Sequence, residues 1–310
     1  MKKLMKSLVA IVLTVGLLVA CGGGSKTDAT VKMGVASTQY VAETRSEDDD
    51  AVEFTIVVVG VALKDDKVAY ISIDESQQFA NGDGAVATAA PELTKKQKGD
   101  DYDMRKASPI QKEWDEQIAF IEESLIGKTL DEVKAYFAGE EILTGATIIV
   151  TDIEATIVKA IEKATEVKNV AKVGLGYRVS VEVKGDGAKP ESVLEYAMVA
   201  FDADSKIVEA QLDNAQEKAE YDGTWTLVNL GKTKGELKEA YNMIIASPIE
   251  KEWFEQNDAF MEYVVGKTVE EVLSVGDPTQ DDDLKTSVTM HIDGIQASIK
   301  HAADNAKEIK

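Results

Sequence analysis

The sequence predicts an α+β protein of two tandem homologous domains, each an antiparallel β-sheet with helices on one face. Two observations predict this: an internal repeat, and within each repeat the order of strands, helices, a strand-like turn and a last helix. At an offset of 139 residues, residues 102–133 and 241–272 are identical at 17 of 32 positions. One repeat is long enough to enclose a hydrophobic core, so the predicted domains are residues 32–165 and 172–310. Whether residues 166–171 form a stiff or a loose linker is left open.

A leader precedes both repeats. It carries Lys2, Lys3 and Lys6, then an apolar run over residues 8–20 that is too short to span a bilayer comfortably. The Leu-Val-Ala-Cys sequence that ends at Cys21 resembles a bacterial lipobox. This resemblance implies a signal peptide over residues 1–21, cleavage before Cys21, and a diacylglyceryl group on its sulfur that anchors the protein to a membrane. An ordinary secretory signal is the alternative, and residues 22–31 are expected to form a flexible tether.

The composition excludes several classes of function. The formal charge of -22, which becomes -25 without the three leader lysines, argues against nucleic acid and anionic lipid headgroups as partners. Cys21 is the only cysteine, so intrachain disulfides and thiolate metal sites are excluded, and each domain is expected to rely on its own apolar core. The acidic runs at residues 47–50 and 281–283 lack the spacing of an EF-hand loop, so no metal site is predicted. His291 and His301 have no counterpart in the first repeat, which favours a surface or packing role.

Each repeat begins with an extended segment, at residues 32–35 and 172–175, followed by a hairpin. The hairpin strands are predicted at residues 52–63 and 68–74, and at 196–201 and 206–213, from their apolar and alternating patterns. A long polar loop follows each hairpin. Ser108 and Ser247 then precede a proline, with Gln or Glu three residues on, which predicts the N-terminal cap of a helix.

The buried face of the first such helix is predicted from Trp114, Ile118, Ile121 and Leu125, which recur at helical spacing. Gly127 is expected to end this helix. A short second helix should follow, capped by Thr129 with Glu132 and, in the second repeat, by Thr268 with Glu271. Apolar residues 148–150 predict a buried strand, and closing helices are predicted over about residues 153–164 and from about residue 295.

The segment that is predicted to carry the chemistry lies between the second helix and the closing helix. It consists of an acidic residue, two spacer residues and the sequence Thr-Gly-Ala-Thr. This segment resembles the FMN-binding domain of redox subunits of sodium-pumping quinone reductases and related electron-transport complexes, found also in extracytoplasmic flavin lipoproteins of Gram-positive bacteria. In that family a flavin transferase esterifies the last threonine to the phosphate of FMN. The resemblance implies that Thr147 accepts FMN, with Glu141 at the acidic position, Thr144 at the Ser or Thr position, and Gly145 and Ala146 between them.

The transfer of FMN to a hydroxyl group explains why these residue types are expected. An exposed hydroxyl is needed to attack a phosphate, and the small Gly145 and Ala146 are expected to leave room for the transferase. Amides before the closing helix are expected to hold the phosphate. The corresponding residues of the second repeat are Asp283, Thr286 and Thr289, but Ser287 and Val288 replace the Gly-Ala pair and are expected to crowd Thr289, so Thr147 is the favoured site.

Two functions remain open. The favoured one is a membrane-anchored extracytoplasmic electron-transfer protein of the Gram-positive type, a redox carrier with covalent FMN that needs a flavin transferase, a redox donor and an acceptor. The alternative is a non-catalytic surface lipoprotein whose degenerate repeats bind a ligand or a protein partner. The sequence holds no Ser-His-Asp arrangement in both repeats, no Gly-rich phosphate loop before a helix, and no Cys or His cluster for iron or zinc.

Overall fold

A computed structural model describes residues 29–43, 52–80, 93–183, 190–221 and 225–309. The predicted signal peptide, the lipid-attachment Cys21 and most of the tether lie outside the described residues, as does the acidic run at residues 47–50. None of the helices in the described ranges is long and apolar enough to cross a lipid bilayer.

The first half of the chain, taken here as its described residues from 29 to 170, forms one antiparallel sheet in the order β3-β2-β1-β4. Its strands are β1 (Ala29–Glu43), β2 (Val52–Lys64), β3 (Lys67–Ala80) and β4 (Thr165–Val170). Its helices are α1 (Lys95–Lys98), α2 (Trp114–Leu125), α3 (Leu130–Ala138) and α4 (Thr151–Glu162). Single 3-10 turns lie at Gly99–Tyr102 and Glu141–Thr144.

The second half, its described residues from 172 to 309, repeats these elements in the same order and adds one short strand. Its antiparallel strands are ordered β8-β7-β6-β5-β9. They are β5 (Lys172–Val183), β6 (Pro190–Phe201), β7 (Ile207–Tyr221), β8 (Trp225–Leu227) and β9 (Lys307–Glu308). The helices are α5 (Lys234–Leu237), α6 (Trp253–Val264), α7 (Val269–Leu273) and α8 (Asp293–Asp304), with 3-10 turns at Lys238–Tyr241, Met243–Ile245 and Pro278–Gln280.

The α+β class with two antiparallel sheets is therefore confirmed, and so are the two hairpins. Residues 166–171, whose stiffness the sequence left open, are mostly strand: β4 pairs with β1, with Val167 opposite Val31. Part of the polar loop before α2 is ordered as α1, which Thr94 caps with Gln97. The buried face of α2 is confirmed, because Trp114, Ile118, Ile121 and Leu125 all lie in the core between helices and sheet.

The start of α2 differs from the prediction. The helix begins at Trp114, and its N-cap is Glu113 rather than Ser108. The Glu113 carboxylate is almost fully buried and accepts hydrogen bonds from the backbone N–H groups of Met104 and Arg105, both at 2.9 Å. These two amides belong to the preceding turn, so the carboxylate both caps the helix and closes that turn. In the second half Glu252 replaces the predicted Ser247 in the same way.

Residues 148–150 do not form the predicted buried strand. Ile149 is 86% exposed, whereas Ile148 and Val150 pack against the edge of the core. None of the strands β1 to β4 pairs with these residues, and Val150 is the N-cap of α4. The predicted caps of the short helices are confirmed, because Thr129 and Thr268 each form a capping box.

The two sheets pack face to face, which gives four layers in the order helices, sheet, sheet, helices. One core lies between helices and sheet in each half. A third core fills the space between the sheets and contains residues of both halves, among them Met33, Val58, Leu175, Leu194 and Met198. The expectation that each domain relies on its own core is therefore wrong, because the second face of each sheet is covered by the other half.

Candidate functional site

Thr147 lies between the 3-10 turn at Glu141–Thr144 and α4, with its side chain exposed. Its backbone N–H donates to Oε1 of Gln117 at 2.7 Å, and its hydroxyl is 3.4 Å from the same oxygen. Gln117 belongs to α2 and is fully buried. A buried carboxamide is costly unless its polar atoms are hydrogen-bonded, so this contact fixes the backbone at Thr147.

The other end of the Gln117 side chain is also hydrogen-bonded. Its Nε2 donates to Oγ of Ser108 at 3.3 Å and to the carbonyl oxygen of Lys112 at 3.1 Å. The Ser-Pro motif therefore does not start a helix but anchors the glutamine that holds Thr147.

The second half repeats this arrangement at Thr289. Oε1 of the buried Gln256 accepts from the backbone N–H groups of Thr289 at 2.8 Å and Met290 at 3.0 Å. Its Nε2 donates to Oγ of Ser247 at 3.1 Å. The backbone around both threonines is thus fixed by the same network.

Gly145 and Ala146 do not leave free space beside Thr147, contrary to the expectation. A Cβ atom on Gly145 would lie 2.4 Å from the ring of Phe120, so glycine is needed because that ring covers it. Ala146 is buried in the core between helices and sheet. Both residues are small because the protein itself packs against them.

Thr289 is half-buried whereas Thr147 is exposed, but Val288 is not what covers it. Val288 is fully buried in the core of the second half and points away from the surface, as Ala146 does in the first. Ser287 occupies the position of Gly145, and Ala259, three residues after Gln256, occupies that of Phe120.

The other predicted site residues are exposed and do not converge on the threonines. Glu141 and Asp283 face solvent, and so does Thr286. The hydroxyl of Thr144 donates to the backbone carbonyl of Glu141 at 2.8 Å, which closes the 3-10 turn. These residues shape or border the turn that precedes each threonine.

The surroundings of the two threonines differ in polarity. Near Thr147, Leu143 is 61% and Ile149 86% exposed. The ammonium of Lys112 lies 5.6 Å from the centroid of the Phe120 ring, the ring that covers Gly145. The second half has exposed Lys285 and His291 at the positions of Leu143 and Ile149. Thr147 therefore has exposed apolar neighbours that Thr289 lacks.

The helices that follow the two threonines, α4 and α8, begin without a side-chain cap. The other six α-helices of the described ranges each have a capping box. The first amides of α4 are thus left to solvent or to a ligand, although Asp152 in its first turn already faces part of the helix dipole.

Gln117 and Gln256 were missed in the sequence, although a signal was present. Gln117 lies three residues after Trp114 and therefore on the same helix face as Ile118 and Ile121, where an apolar residue is expected. A glutamine there that is identical in the second repeat indicates a buried hydrogen-bonding role.

No group of three or more His, Cys, Asp or Glu residues in the described ranges is arranged to hold a metal ion. His291 is exposed, and His301 packs edge-on against Tyr177 with ring centroids 4.6 Å apart. Comparisons of the chain with protein-family models, with curated proteins and with solved structures found no match.

Proposed function

We propose that the protein is a membrane-anchored extracytoplasmic electron-transfer protein that carries FMN covalently on Thr147, and that its halves are homologous repeats of one fold. One observation carries the proposal: Thr147 presents an exposed side chain from a backbone that the buried Gln117 holds, three residues before the N-cap of a helix without a side-chain cap. A hydroxyl that is modified by a second enzyme must be accessible and held in one place.

The residues around Thr147 fit an esterified flavin phosphate. The Thr147 hydroxyl would carry the ester, and the first amides of α4 would hydrogen-bond phosphate oxygens. Because Asp152 disfavours an anion at this helix end, the ester bond rather than ionic attraction would retain the group. When bound, FMN supplies the redox chemistry of its isoalloxazine ring, and the protein supplies position and exposure.

The apolar surroundings favour Thr147 over Thr289. Exposed large aliphatic side chains such as Leu143 and Ile149 cost free energy in water and gain it when an apolar surface covers them. The flavin ring is such a surface. Lys285 and His291 offer no equivalent contact, so one flavin per chain is proposed.

The setting of the carrier follows from the leader and the charge. A diacylglyceryl group on Cys21 would hold the protein at the cell membrane, where it meets a flavin transferase, a redox donor and an acceptor. With a formal charge of -22, the protein disfavours additional negative charge on a bound flavin and is expected to lower its reduction potential.

One observation favours the second candidate, a surface lipoprotein without flavin that binds a ligand or a protein partner. The Gly-Ala pair is explained by packing, because the Phe120 ring covers Gly145 and the core encloses Ala146. On this account the motif is a structural turn in both halves.

The two candidates are separated by expressing the chain in a host that exports it and has an active flavin transferase. We expect flavin fluorescence to stay with the denatured protein in the wild type and in Thr289→Ala, and to disappear in Thr147→Ala. Gln117→Met should reduce labelling because it releases the Thr147 backbone, whereas the matched Gln256→Met, which removes the equivalent hydrogen bonds, should not. A wild-type protein without bound flavin in this host would favour the surface lipoprotein.

A further inference from the structure

A cleft of about 520 Å³ opens between the two halves, beside the core that the two sheets share. One wall comes from β3 and α1, and the other from β5, α8 and β9. A volume of this size lies within the range of sites for small molecules. Its lining residues are Tyr70, Ser72, Lys96, Gln97, Leu175, Tyr177, His301, Asp304, Asn305, Ala306 and Lys307.

The equivalent edge on the other side of the shared core is closed. There Glu236 of α5 forms ion pairs with Lys159 of α4 at 2.7 Å and with Lys163, the C-cap of that helix, at 2.6 Å. Next to them, Nε2 of Gln211 donates to the backbone carbonyl of Met33 at 2.9 Å. These contacts tie the two halves together along this edge.

The cleft is open because the residues that tie the two halves together at the closed edge are replaced at the corresponding positions of the cleft. Gln97 stands in α1 where Glu236 stands in α5, each as the third residue after the capping threonine. His301 in α8 corresponds to Lys159 in α4, and the C-cap Asn305 corresponds to the C-cap Lys163. The short Ser72, two residues before Asp74, takes the place of Gln211, two residues before Asp213.

The pairing of strands reinforces this difference. At the closed edge β4 pairs with β1 over the register from Ala29 to Met33, whereas at the open edge β9 pairs only with Lys172 and Val173. The following amides of β5 are satisfied by side chains instead. The N–H of Leu175 donates to the Tyr70 hydroxyl at 3.0 Å, and that of Tyr177 to Nδ1 of His301 at 3.2 Å.

Several polar groups of the cleft can donate hydrogen bonds to a ligand. Because Nδ1 of His301 accepts a hydrogen bond, the ring proton lies on Nε2, which can donate. Gln97 and Asn305 add carboxamides. Burial lowers the pKa of His301, so the ring is neutral at pH 7.

One of the charged residues that line the cleft has no ion-pair partner among the residues that the structure describes. Lys96 is paired with Glu122 at 2.5 Å, and Asp304 with Lys300 at 2.6 Å. Lys307 has no carboxylate partner within the described ranges. Lys307 is exposed, so its ammonium is accessible to a carboxylate with one negative charge, whereas a phosphate monoester carries nearly two at pH 7.

We propose that this cleft is a binding site for a small organic carboxylate, held by Lys307 and by the donors of His301, Gln97 and Asn305. The aliphatic and aromatic faces of Leu175 and Tyr70 contact the apolar body of the ligand. The site is separate from Thr147, and it does not rest on the flavin proposal.

The test is isothermal titration of the full chain in detergent with acetate, succinate and benzoate, and with inorganic phosphate as the comparison anion. We expect saturable binding of at least one carboxylate, with one molecule per chain. Lys307→Gln should weaken it about tenfold, the loss of one charge-assisted hydrogen bond. The double variant Gln97→Glu/His301→Lys restores the ion pair of the closed edge and should abolish binding.

Two further variants control for folding and for location. Ser72→Gln places a long side chain in the cleft without altering a helix, and it should abolish binding as the double variant does. Glu236→Gln removes the ion pairs of the closed edge and should leave binding unchanged. The proposal is overturned if no carboxylate binds, if binding persists in Ser72→Gln and in the double variant, or if phosphate binds as tightly as the best carboxylate.

Discussion

At the scale of single residues, the two halves differ in the pair of side chains at the turn before each threonine. The first half combines a large ring on α2, Phe120, with Gly145. The second combines Ala259 on α6 with Ser287. Neither glycine nor serine is dictated by the backbone, because Gly145 does not have a positive φ angle.

We therefore expect Gly145→Ser to destabilise the protein by about 1–3 kcal/mol, because its Cβ would enter the Phe120 ring. The double variant Phe120→Ala/Gly145→Ser reproduces the pair of the second half, and the two substitutions should be less destabilising together than their sum. Urea denaturation of the four proteins in this double-mutant cycle measures the coupling. Strict additivity would show that the ring is not what excludes a side chain at residue 145.

Thr147 and Thr289 were predicted as candidate acceptors from the sequence, but the residues that hold their backbone were not. The Thr-Gly-Ala-Thr pattern indicated Thr147 and Thr289 by resemblance. The pattern carries no information about Gln117, which lies 30 residues earlier and meets Thr147 only through the tertiary fold. For the same reason the pattern suggested free space at Gly145, since the covering ring comes from another element.

At the scale of elements, local chemistry was predicted well where it is self-contained. The two hairpins and the capping boxes of α3 and α7 follow from residues within a few positions of each other. The predicted start of α2 was wrong because Glu113, not Ser108, caps the helix. The Glu113 carboxylate also accepts hydrogen bonds from the amides of Met104 and Arg105, and this contact between two elements is not visible in the local sequence. Residues 148–150 were predicted as a strand from their apolar character alone, which does not show whether a partner strand exists.

The cap assignment gives a direct comparison of two substitutions. Glu113→Ala should cost about 2 kcal/mol of folding free energy, because it removes the cap and leaves two amides unpaired. Ser108→Ala should cost below about 1 kcal/mol, since its contacts to Lys112 and Gln117 are 3.4 and 3.3 Å long. Chemical denaturation followed by circular dichroism measures both values. If Ser108→Ala lost more folding free energy than Glu113→Ala, the serine rather than the glutamate would be the more important cap.

At the scale of the whole molecule, the sheets bury their second faces against each other, a feature that repeat analysis could not show. Because this core contains residues such as Met33 and Leu175 from both halves, neither half keeps its buried surface without the other. We expect one cooperative unfolding transition rather than two. Scanning calorimetry tests this through the ratio of calorimetric to van't Hoff enthalpy, which is near 1 for a single transition. Two separable transitions would show that the halves fold independently.

The shared core also contains an unusual buried carboxyl. Glu217 on β7 is 1% exposed, and burial raises its pKa from 4.5 to about 8. The amides of Asn229 and Gly231 lower this pKa only in part, and neither makes a regular hydrogen bond to the carboxylate oxygens. Between pH 4.5 and about 8 the unfolded chain ionises this group while the folded protein keeps it neutral. Its contribution to stability is therefore full below pH 4.5 and is lost as the pH rises through that window.

Glu217→Gln should remove this pH dependence. The variant and the wild type should be about equally stable near pH 4.5, and the variant should be more stable at pH 8, by about 4 kcal/mol. Free energies of unfolding measured from pH 4.5 to 9 test the sign. A difference that is constant over this range would mean that Glu217 does not titrate with a raised pKa in the folded protein.

The central claim is that Thr147 carries FMN, and intact mass followed by peptide mapping tests it most directly. The protein should be prepared from a host that exports it and has an active flavin transferase. The account predicts a surplus of one FMN per chain, located on the peptide that contains Thr147 and absent from the peptide that contains Thr289. An unmodified mass, or flavin on any residue other than Thr147, would contradict it.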